Sequence, residues 1–428
     1  MALGGGSFTT QNKVLPGAYF SFISKAVATA KLSERGIAAM ALDLNWGVDN
    51  AIFSVDAIDF QKNSLKIFGY DYFSEEMKEL RELFLHANTV HLYKLTSGGK
   101  NASNTYATAL HSGVRGNDLK VVIQTDVDDE SKYVVSLYLG TTKVDEQTVA
   151  KADELVANDY VTWKTDAELA VIAGEVLTGG ENGTSDATAH QAFLNKIEAY
   201  PDVNAIGYMG EEETIKTLYV AFAKRMRDEV GNKLQTVVFN YAADNIAAVN
   251  VKNQVDLVPW VTGVIAGTAI NKSATNMKYD GECSVNTDYT QKQLEAAITA
   301  GEFVLHQVGA EVYVLEDVNS LVTVTEEQGE DFKDNQTIRV IDNIATSIAS
   351  VFATKYIGKV PNNESGRISL WSDIVKIHQQ LSDMQAIENF DSKDITVEQG
   401  ETKKSVVVNS AVTVVNTMTK LYMKTVVA

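Results

Sequence analysis

The chain has 428 residues, of which 45% are hydrophobic and 22% are charged, and its formal net charge is −19. This length suits two to four domains with sizeable cores, and the acidic balance argues against a nucleic-acid-binding protein, which needs a basic face for the phosphates. The acidity is concentrated in residues 100–334, which carry 18 Lys and Arg against 37 Asp and Glu, whereas the two ends are close to neutral. In an assembly, we expect the acidic middle to face solvent and the ends to pack against other subunits.

Several features indicate where such a protein works. The single cysteine, Cys283, excludes an intramolecular disulfide, as is typical of a reducing cytoplasm. The first ten residues lack the basic and apolar regions of a signal peptide. The longest uncharged apolar run, 257–271, is interrupted by proline and glycine and is too short to span a bilayer. We therefore expect no signal-dependent secretion and no membrane insertion.

In chain order, residues 1–25 predict an N-terminal strand arm, because an aromatic run follows Pro16-Gly17. Residues 26–98 predict a small α/β domain, with a strand near Ile37 and an amphipathic helix within 71–86. Residues 99–180 contain short Val- and Tyr-rich runs separated by acidic turns, which indicates a β-rich inserted domain. The glycine pairs at its two ends predict flexible linkers.

Residues 181–334 alternate between helical and strand patterns, which indicates an α/β middle domain. Residues 335–408 predict a C-terminal α+β domain that begins with two helices. Their apolar stripes fall at 341–352 and 370–384. Two strands then turn at Gln399-Gly400. The predicted fold class is thus multidomain α+β and α/β, with β-strand arms at both termini.

The C-terminal arm, 409–428, is rich in Val and Thr and contains no Pro or Gly, so it favours an extended strand. Alternation places Leu421 and Met423 on one face and Tyr422 and Lys424 on the other. A hydrophobic strand of this kind needs a partner edge, either in its own domain or in another subunit. The sequence pattern leaves both solutions open.

No motif for catalysis, cofactor binding or metal binding is present. The six histidines and the cysteine form no metal-ligand pattern, the glycine clusters match no phosphate-binding loop, and no nucleophile elbow occurs. His378 is predicted to lie on the polar side of its helix. We therefore expect no cofactor and no enzyme, although an α/β enzyme using residues 186–330 remains an alternative.

Several segments in the right order resemble the contractile tail sheath proteins of myophages, PBSX-like defective prophages and R-type bacteriocins. They include PGAYFSF at 16–22, RGIAAMALDLNWG at 35–47, VIAGTAINKS at 264–273 and RVIDNIATSIASVFATKYIGKVPNN at 339–363. The final segment resembles the family's PVDAMEKLYMTV end, but Val414 stands in place of Pro and Asn416 in place of Asp. These departures put the local turn geometry in question.

The resemblance implies a structural subunit that polymerises as stacked hexameric rings around an inner tube and contracts to drive that tube through a target cell envelope. Partners would be other copies of the chain, the tail tube protein, and baseplate and terminator proteins at the ends, without nucleic acid. Assembly would occur in the bacterial cytoplasm before the protein joins the tail of a phage or bacteriocin particle. Another self-assembling tube or capsid-like protein is the alternative.

The resemblance also implies that arms from two neighbours add strands to a hairpin of a third subunit. The N-terminal arm would use Val14, Leu15, Ala18, Tyr19, Phe20, Phe22 and Ile23. The C-terminal arm would use Val412, Val414, Met418, Leu421, Tyr422, Met423, Val426 and Val427. The acceptor hairpin would use Ile395, Val397, Val406 and Val408. Basic candidates for facing the tube are Lys355, Lys359, Arg367 and Lys376, with a solvated or intersubunit role as the alternative for each. Asn409-Ser410 is the expected hinge of the C-terminal arm.

Overall fold

The computed structural model describes residues 35–427. The first part of the described chain contains β1 Ile37–Leu42, β2 Ile52–Asp56, α1 Ala57–Phe68, α2 Lys78–Phe84 and β3 Thr89–Lys94. The next part contains β4 Ala107–Ala109, β5 Leu119–Thr125, β6 Tyr133–Leu139, β7 Thr142–Val149, β8 Val161–Trp163 and β9 Ile172–Val176. A third part contains α3 Ala187–Ile197, β10 Ala205–Tyr208, α4 Glu213–Arg225, β11 Gln235–Phe239, β12 Ala248–Val251, α5 Val258–Gly267, α6 Gln291–Thr299, β13 Glu302–Phe303, β14 Leu305–Val308 and β15 Glu311–Val314. The last part contains α7 Asn335–Val351, α8 Glu364–Asp383, β16 Ile387–Glu388, β17 Ile395–Gln399, β18 Val406–Ser410 and β19 Thr413–Val414.

A seven-stranded sheet of order β13-β12-β11-β10-β1-β3-β2 forms the centre of the molecule. Its neighbouring strands run parallel except for β2 and β3. Alternate residues of β1 enter two separate cores, with Ala38 and Met40 on one face and Ala39 and Ala41 on the other. Helices α1, α2 and α5 cover the first face, and α3 and α4 cover the second. Both faces of the sheet are therefore buried, as is usual for parallel strands.

This sheet joins two segments that were predicted as separate domains. Strands β1 to β3 come from residues 26–98 and β10 to β13 from residues 181–334, and Ala38 of β1 lies opposite Ala205 of β10. The predicted boundary between an N-terminal and a middle domain thus runs through one sheet. Local composition could not show this, because tertiary packing alone decides that strands so distant in sequence pair with each other.

The intervening residues form a β-rich part with a four-stranded sheet, β7-β6-β5-β9, and a two-stranded sheet, β4-β8. Its hydrophobic core includes Trp46, which belongs to the segment after β1 and is completely buried. The indole packs edge-on against His111 with ring centroids 5.0 Å apart and donates to the Lys66 carbonyl at 3.3 Å. One side chain of the α/β part is therefore built into the core of the inserted part.

The prediction of flexible glycine linkers at the ends of this insertion is wrong. The two chain segments run side by side, and Lys100 and Glu181 exchange backbone hydrogen bonds of 2.9 and 3.0 Å. A Cβ atom on Gly99 would collide with the Glu181 carbonyl, and one on Gly183 would collide with the Ser97 carbonyl. These glycines permit close backbone approach, a requirement that composition does not distinguish from flexibility.

Replacement of Gly99 by alanine should separate the two segments. Because the added methyl group meets backbone rather than a movable side chain, the free energy of unfolding should fall by about 1–3 kcal/mol. Hydrogen exchange at the Lys100 and Glu181 amides should accelerate. Gly329→Ala is the matched control, since its added Cβ has open space and its φ is −75°. Equal exchange in the two variants would contradict the role given to Gly99.

The two predicted C-terminal helices are present as α7, extended by a π-helical turn at Phe352–Tyr356, and α8. Helix α7 is joined to the α/β part by buried ion pairs. The Arg227 guanidinium donates to both carboxylate oxygens of Asp342 at 2.6 and 2.7 Å, and Arg339 donates to Asp317 at 2.5 Å. The two parts are therefore packed together through the first half of α7.

No helix within residues 35–427 combines the length and the apolar character needed to cross a membrane. The apolar run around 257–271 forms α5, whose residues 258–266 are buried inside the protein.

Candidate assembly surface of the C-terminal region

The predicted acceptor hairpin exists as β17 and β18. The strands are antiparallel, with Val397 opposite Val408 and Gln399 opposite Val406. Ile395 is buried, and Val397, Val406 and Val408 pack partly buried against the same core. The four residues therefore share the face of the hairpin that rests on the C-terminal domain. Their role as acceptors for another chain stays a prediction.

Hydrogen bonding defines which backbone groups of the hairpin point outward. Gly400 donates to the Ser405 carbonyl at 2.9 Å, and Ala411 donates to the Asp394 carbonyl at 3.3 Å. Because bonded pairs alternate along an antiparallel ladder, the N–H and C=O groups of Val397 and Gln399 point away from β18. The indole of Trp371 donates to the Ile395 carbonyl at 3.0 Å. No strand within residues 35–427 pairs with the outer edge of β17.

A groove of about 470 Å³ runs along this edge, between β17 and the first half of α8. Its lining consists of Glu364, Arg367, Ile368, Trp371 and the residues of β17. Ile368 is exposed at its rim, and the two carboxylates, Glu364 and Glu398, lie at the groove. The site thus combines unpaired main-chain groups, apolar surface and negative charge, which are the features that accept an added basic, apolar strand.

The C-terminal arm has two parts with different surroundings. Val412 and Val414 pack against the core of their own domain, and Val414 of β19 pairs with Ile387 of β16. Beyond Thr417 every described residue is exposed, and Leu421 is 88% exposed. The other fully or largely exposed apolar residues of this tail are Met418, Tyr422, Met423, Val426 and Val427. We call residues 418–427 the exposed tail.

The expected hinge at Asn409-Ser410 is wrong, since both residues lie in β18. The chain instead leaves its domain after Thr417. Gln336 of α7 donates from Nε2 to the Val415 carbonyl at 3.0 Å and accepts at Oε1 from the Thr417 amide at 3.1 Å. Sequence reasoning missed Gln336, because a glutamine in the first turn of a helix carries no signal for a contact with a distant strand.

The placement of His378 on a polar helix face is also wrong, because this residue is completely buried. Its Nδ1 lies 2.9 Å from the Ile374 carbonyl, and its Nε2 lies 2.9 Å from the Ser410 hydroxyl. Since a carbonyl only accepts, Nδ1 carries the proton and Nε2 accepts from Ser410. The periodicity of α8 predicted one buried face and one exposed face. The prediction failed for His378 because both α7 and β17 pack against this helix.

Burial lowers the pKa of His378 below its ordinary value of about 6.5. The unfolded chain then binds the proton more readily, so this histidine's contribution to stability is complete above pH 6.5 and is lost as the pH falls. The difference in unfolding free energy between the native chain and His378→Gln should therefore shrink between pH 7.5 and pH 5. Urea unfolding of both proteins at the two pH values measures it. A difference that stays constant or grows would contradict this account.

The basic residues predicted to face a tube have varied surroundings. The Lys355 ammonium lies 2.5 Å from the buried Asp373 carboxylate, whereas Lys376 is 3.9 Å from the same group and 61% exposed. Arg367 contacts Asn362, and Lys359 donates to the Thr354 carbonyl. Lys355 thus neutralises a carboxylate of its own domain, while Lys376 keeps its charge at the surface. Contact with a tube stays a prediction for all four.

The predicted N-terminal arm lies outside the described residues. Within residues 35–427, no cluster of three or more His, Cys, Asp or Glu side chains has the arrangement of a metal site. Burial and the neighbouring Glu82 raise the pKa of the Cys283 thiol to about 11, which keeps it protonated. Burial and Asp317 raise the pKa of Asp334 to about 6, and this side chain caps α7. The pKa shifts of Cys283 and Asp334 thus arise from burial and neighbouring charges within the folded domain.

Four family models match consecutive parts of the chain. They describe the domain III N-terminal region of a tail sheath protein at 35–95, the phage tail sheath β-sandwich domain at 91–182, the central domain at 180–320 and the C-terminal domain at 327–428. Together with the solved structures below, they confirm the predicted multidomain α+β and α/β fold class. The β-sandwich match covers the part that contains β4 to β9.

Individual relatives match along nearly the whole chain. The phage-like element PBSX protein XkdK of Bacillus subtilis is 31% identical over 98% of this chain and 99% of its own length. The crystal structure of a sheath tail protein from Desulfitobacterium hafniense is 32% identical, with a TM-score of 0.83 over 95% of this chain and 99% of that one. The contracted helical sheath of the anti-feeding prophage is only 10% identical but shares the fold, with a TM-score of 0.58 over 97% and 99% of the two chains. These relatives are structural proteins and not enzymes, and this chain belongs to the phage tail sheath protein family.

Proposed function

We propose that this chain is the subunit of a contractile sheath that polymerises as stacked hexameric rings around a tail tube. Contraction of the sheath drives the tube through a target cell envelope. Baseplate and terminator proteins lie at the two ends of the polymer. Assembly takes place in the bacterial cytoplasm. The main support is that residues 35–427 contain both an exposed apolar tail and a strand edge that no other described strand pairs with. Such a tail and such an edge are complementary parts.

Neighbouring subunits are linked by exchange of strands. The exposed tail of one copy lies along the outer edge of β17 in a second copy, and the N-terminal arm of a third uses the remaining edge of the hairpin. Alternation along the tail supports one orientation. Leu421 and Met423 extend the apolar face formed by Ile395 and Val397, while Lys420 and Lys424 lie on the outer face beside Glu398. This arrangement buries apolar area and pairs opposite charges.

Subunit motion during contraction occurs between rigid bodies. Trp46, the paired glycine segments and the buried ion pairs of Asp317 and Asp342 support a body that moves as one piece. The arms supply the connections that persist while the bodies rotate. No hydrolysis is needed when the extended lattice is metastable and the contracted lattice lies lower in free energy. The acidic middle of the chain faces outward, and the C-terminal domain faces the tube.

Electron microscopy of the purified full-length chain tests this proposal. We expect hollow cylinders with a cogwheel-shaped cross-section, built from stacked six-fold rings. A variant of the chain that cannot exchange arms should form no cylinders. Only monodisperse single subunits at every concentration, or closed shells in place of cylinders, would overturn the proposal.

A further inference from the structure

The root of the exposed tail is held by the first turn of α7. The side-chain amide of Gln336 makes two hydrogen bonds to the main chain of the tail root, one to Val415 and one to Thr417. These two residues are separated by one position, so the amide satisfies a donor and an acceptor as a neighbouring strand would. Gln336 itself is 1% exposed. The glutamine side of the contact is therefore buried, whereas Thr417 lies at the surface.

A second pair of side chains supports the same segment. The Thr337 hydroxyl and the Asn416 amide lie within hydrogen-bond distance, at 3.2 and 3.3 Å. The Val415 amide also donates to the Ala386 carbonyl at 3.0 Å. Asn416 is one of the two residues that depart from the family pattern, and this contact shows that an amide fits the position. We refer to Gln336, Thr337 and Asn416 as the tail clamp.

The clamp is built on a rigid base. The Asp334 carboxylate caps α7 by accepting a hydrogen bond from the backbone N–H of Gln336 at 2.6 Å. The neighbouring Asn335 is completely buried, accepts from Gln235 at 3.0 Å and donates to Asp317 at 3.1 Å. The first turn of α7 is thereby attached to the central sheet. The clamp consequently fixes the direction in which the tail leaves the subunit relative to the central sheet.

We infer that Gln336 is a positioning residue that sets the direction and reach of the tail toward the neighbouring subunit. This inference rests on the proposed strand exchange. When the tail leaves its domain in a fixed direction, its effective concentration at the acceptor edge is higher than when the chain moves freely from β19 onward. Loss of the clamp adds residues 416 and 417 to the freely moving segment, because the hydrogen bond from the Val415 amide to the Ala386 carbonyl remains. Assembly then requires more protein, although the acceptor edge and the tail sequence are unchanged.

The test compares Gln336→Leu, which keeps the size but removes both hydrogen bonds, with Gln379→Leu, a change at an exposed glutamine of α8. Hydrogen exchange at the Thr417 amide is measured in full-length subunits below the concentration of assembly. It should accelerate about ten-fold in the first variant only, as expected for two lost hydrogen bonds. The critical concentration for polymerisation, measured by light scattering, should rise by a similar factor.

Asn416→Ala provides a second variant that leaves the buried glutamine in place. It removes the hydrogen bonds between Asn416 and Thr337 on the exposed side of the clamp, so we expect a rise of about two- to five-fold in the critical concentration. Faster exchange at Thr417 with unchanged assembly in both variants would overturn the positioning role and leave the proposed function standing. Unchanged exchange would overturn the clamp itself. Failure of the native chain to polymerise would instead overturn the proposed function.

Discussion

Removal of residues 421–428 should leave a folded subunit that no longer polymerises. All the described residues of this segment are exposed, so their loss should change the free energy of unfolding by no more than about 0.5 kcal/mol. The same residues supply the apolar face and one of the two lysines that the proposed strand exchange needs. We expect the critical concentration for polymerisation to rise beyond the accessible range. Analytical ultracentrifugation and electron microscopy measure assembly, and urea unfolding measures stability.

Point variants separate the two faces of the tail. The double change Leu421→Lys and Met423→Lys places charges on the face proposed to meet the apolar side of the hairpin, and it should abolish assembly. Changing Lys420 and Lys424 to serine should only weaken assembly, because surface charge pairs contribute little. Phe73→Ser is the control, since this residue is equally exposed elsewhere in the protein. A truncated chain that unfolds, or that still builds long cylinders, would contradict the role of the tail.

Replacement of Asp317 by asparagine should have the largest effect on stability. Asp317 is completely buried, lies 2.5 Å from Arg339 and accepts from the Ala274 amide at 2.8 Å. The substitution leaves the Arg339 guanidinium buried without its countercharge. Breaking a buried pair in this way costs about 3–5 kcal/mol. Urea unfolding of the full-length subunit measures this loss.

The exposed ion pair between Lys278 and Glu311, with 2.7 Å between its charged atoms, provides the comparison for Asp317. Glu311→Gln should cost less than about 1 kcal/mol, because both partners stay hydrated. Asp317 also bonds Asn335 in the first turn of α7, so hydrogen exchange at Thr417 should accelerate in the buried variant and not in the exposed one. Equal losses in the two variants would show that the buried pair does not hold α7 to the α/β part.

Local sequence patterns predicted the elements whose environment is simple. The stripes along α7 and α8 and the strand at Ile37 are visible because apolar residues recur at the period of the element. The alternation of helical and strand patterns gave the fold class, and the order of several family-like segments added the family. The hairpin of β17 and β18 was predicted from two Val- and Thr-rich runs on either side of Gln399-Gly400, a combination that requires no information from the rest of the chain.

Contacts between distant segments were not predictable in the same way. The pairing of β1 with β10, the close approach at Gly99 and the hydrogen bond between His378 and Ser410 each depend on a partner that no local pattern identifies. The division of the C-terminal arm has the same cause. Val412 and Val414 resemble the residues of the exposed tail in composition, but β16 supplies an edge for the first part and none for the second.

Zero-length cross-linking between isotopically labelled copies tests the strand exchange most directly. Light and heavy full-length subunits are mixed before assembly, and a carbodiimide then joins lysine amines to carboxylates that touch them. The account predicts cross-links between Lys420 or Lys424 of one isotope and Glu398 or Glu364 of the other. Tail cross-links that occur only within one isotope, and never between a light and a heavy subunit, would contradict the account. Tail cross-links that reach neither the hairpin nor α8 would also contradict it.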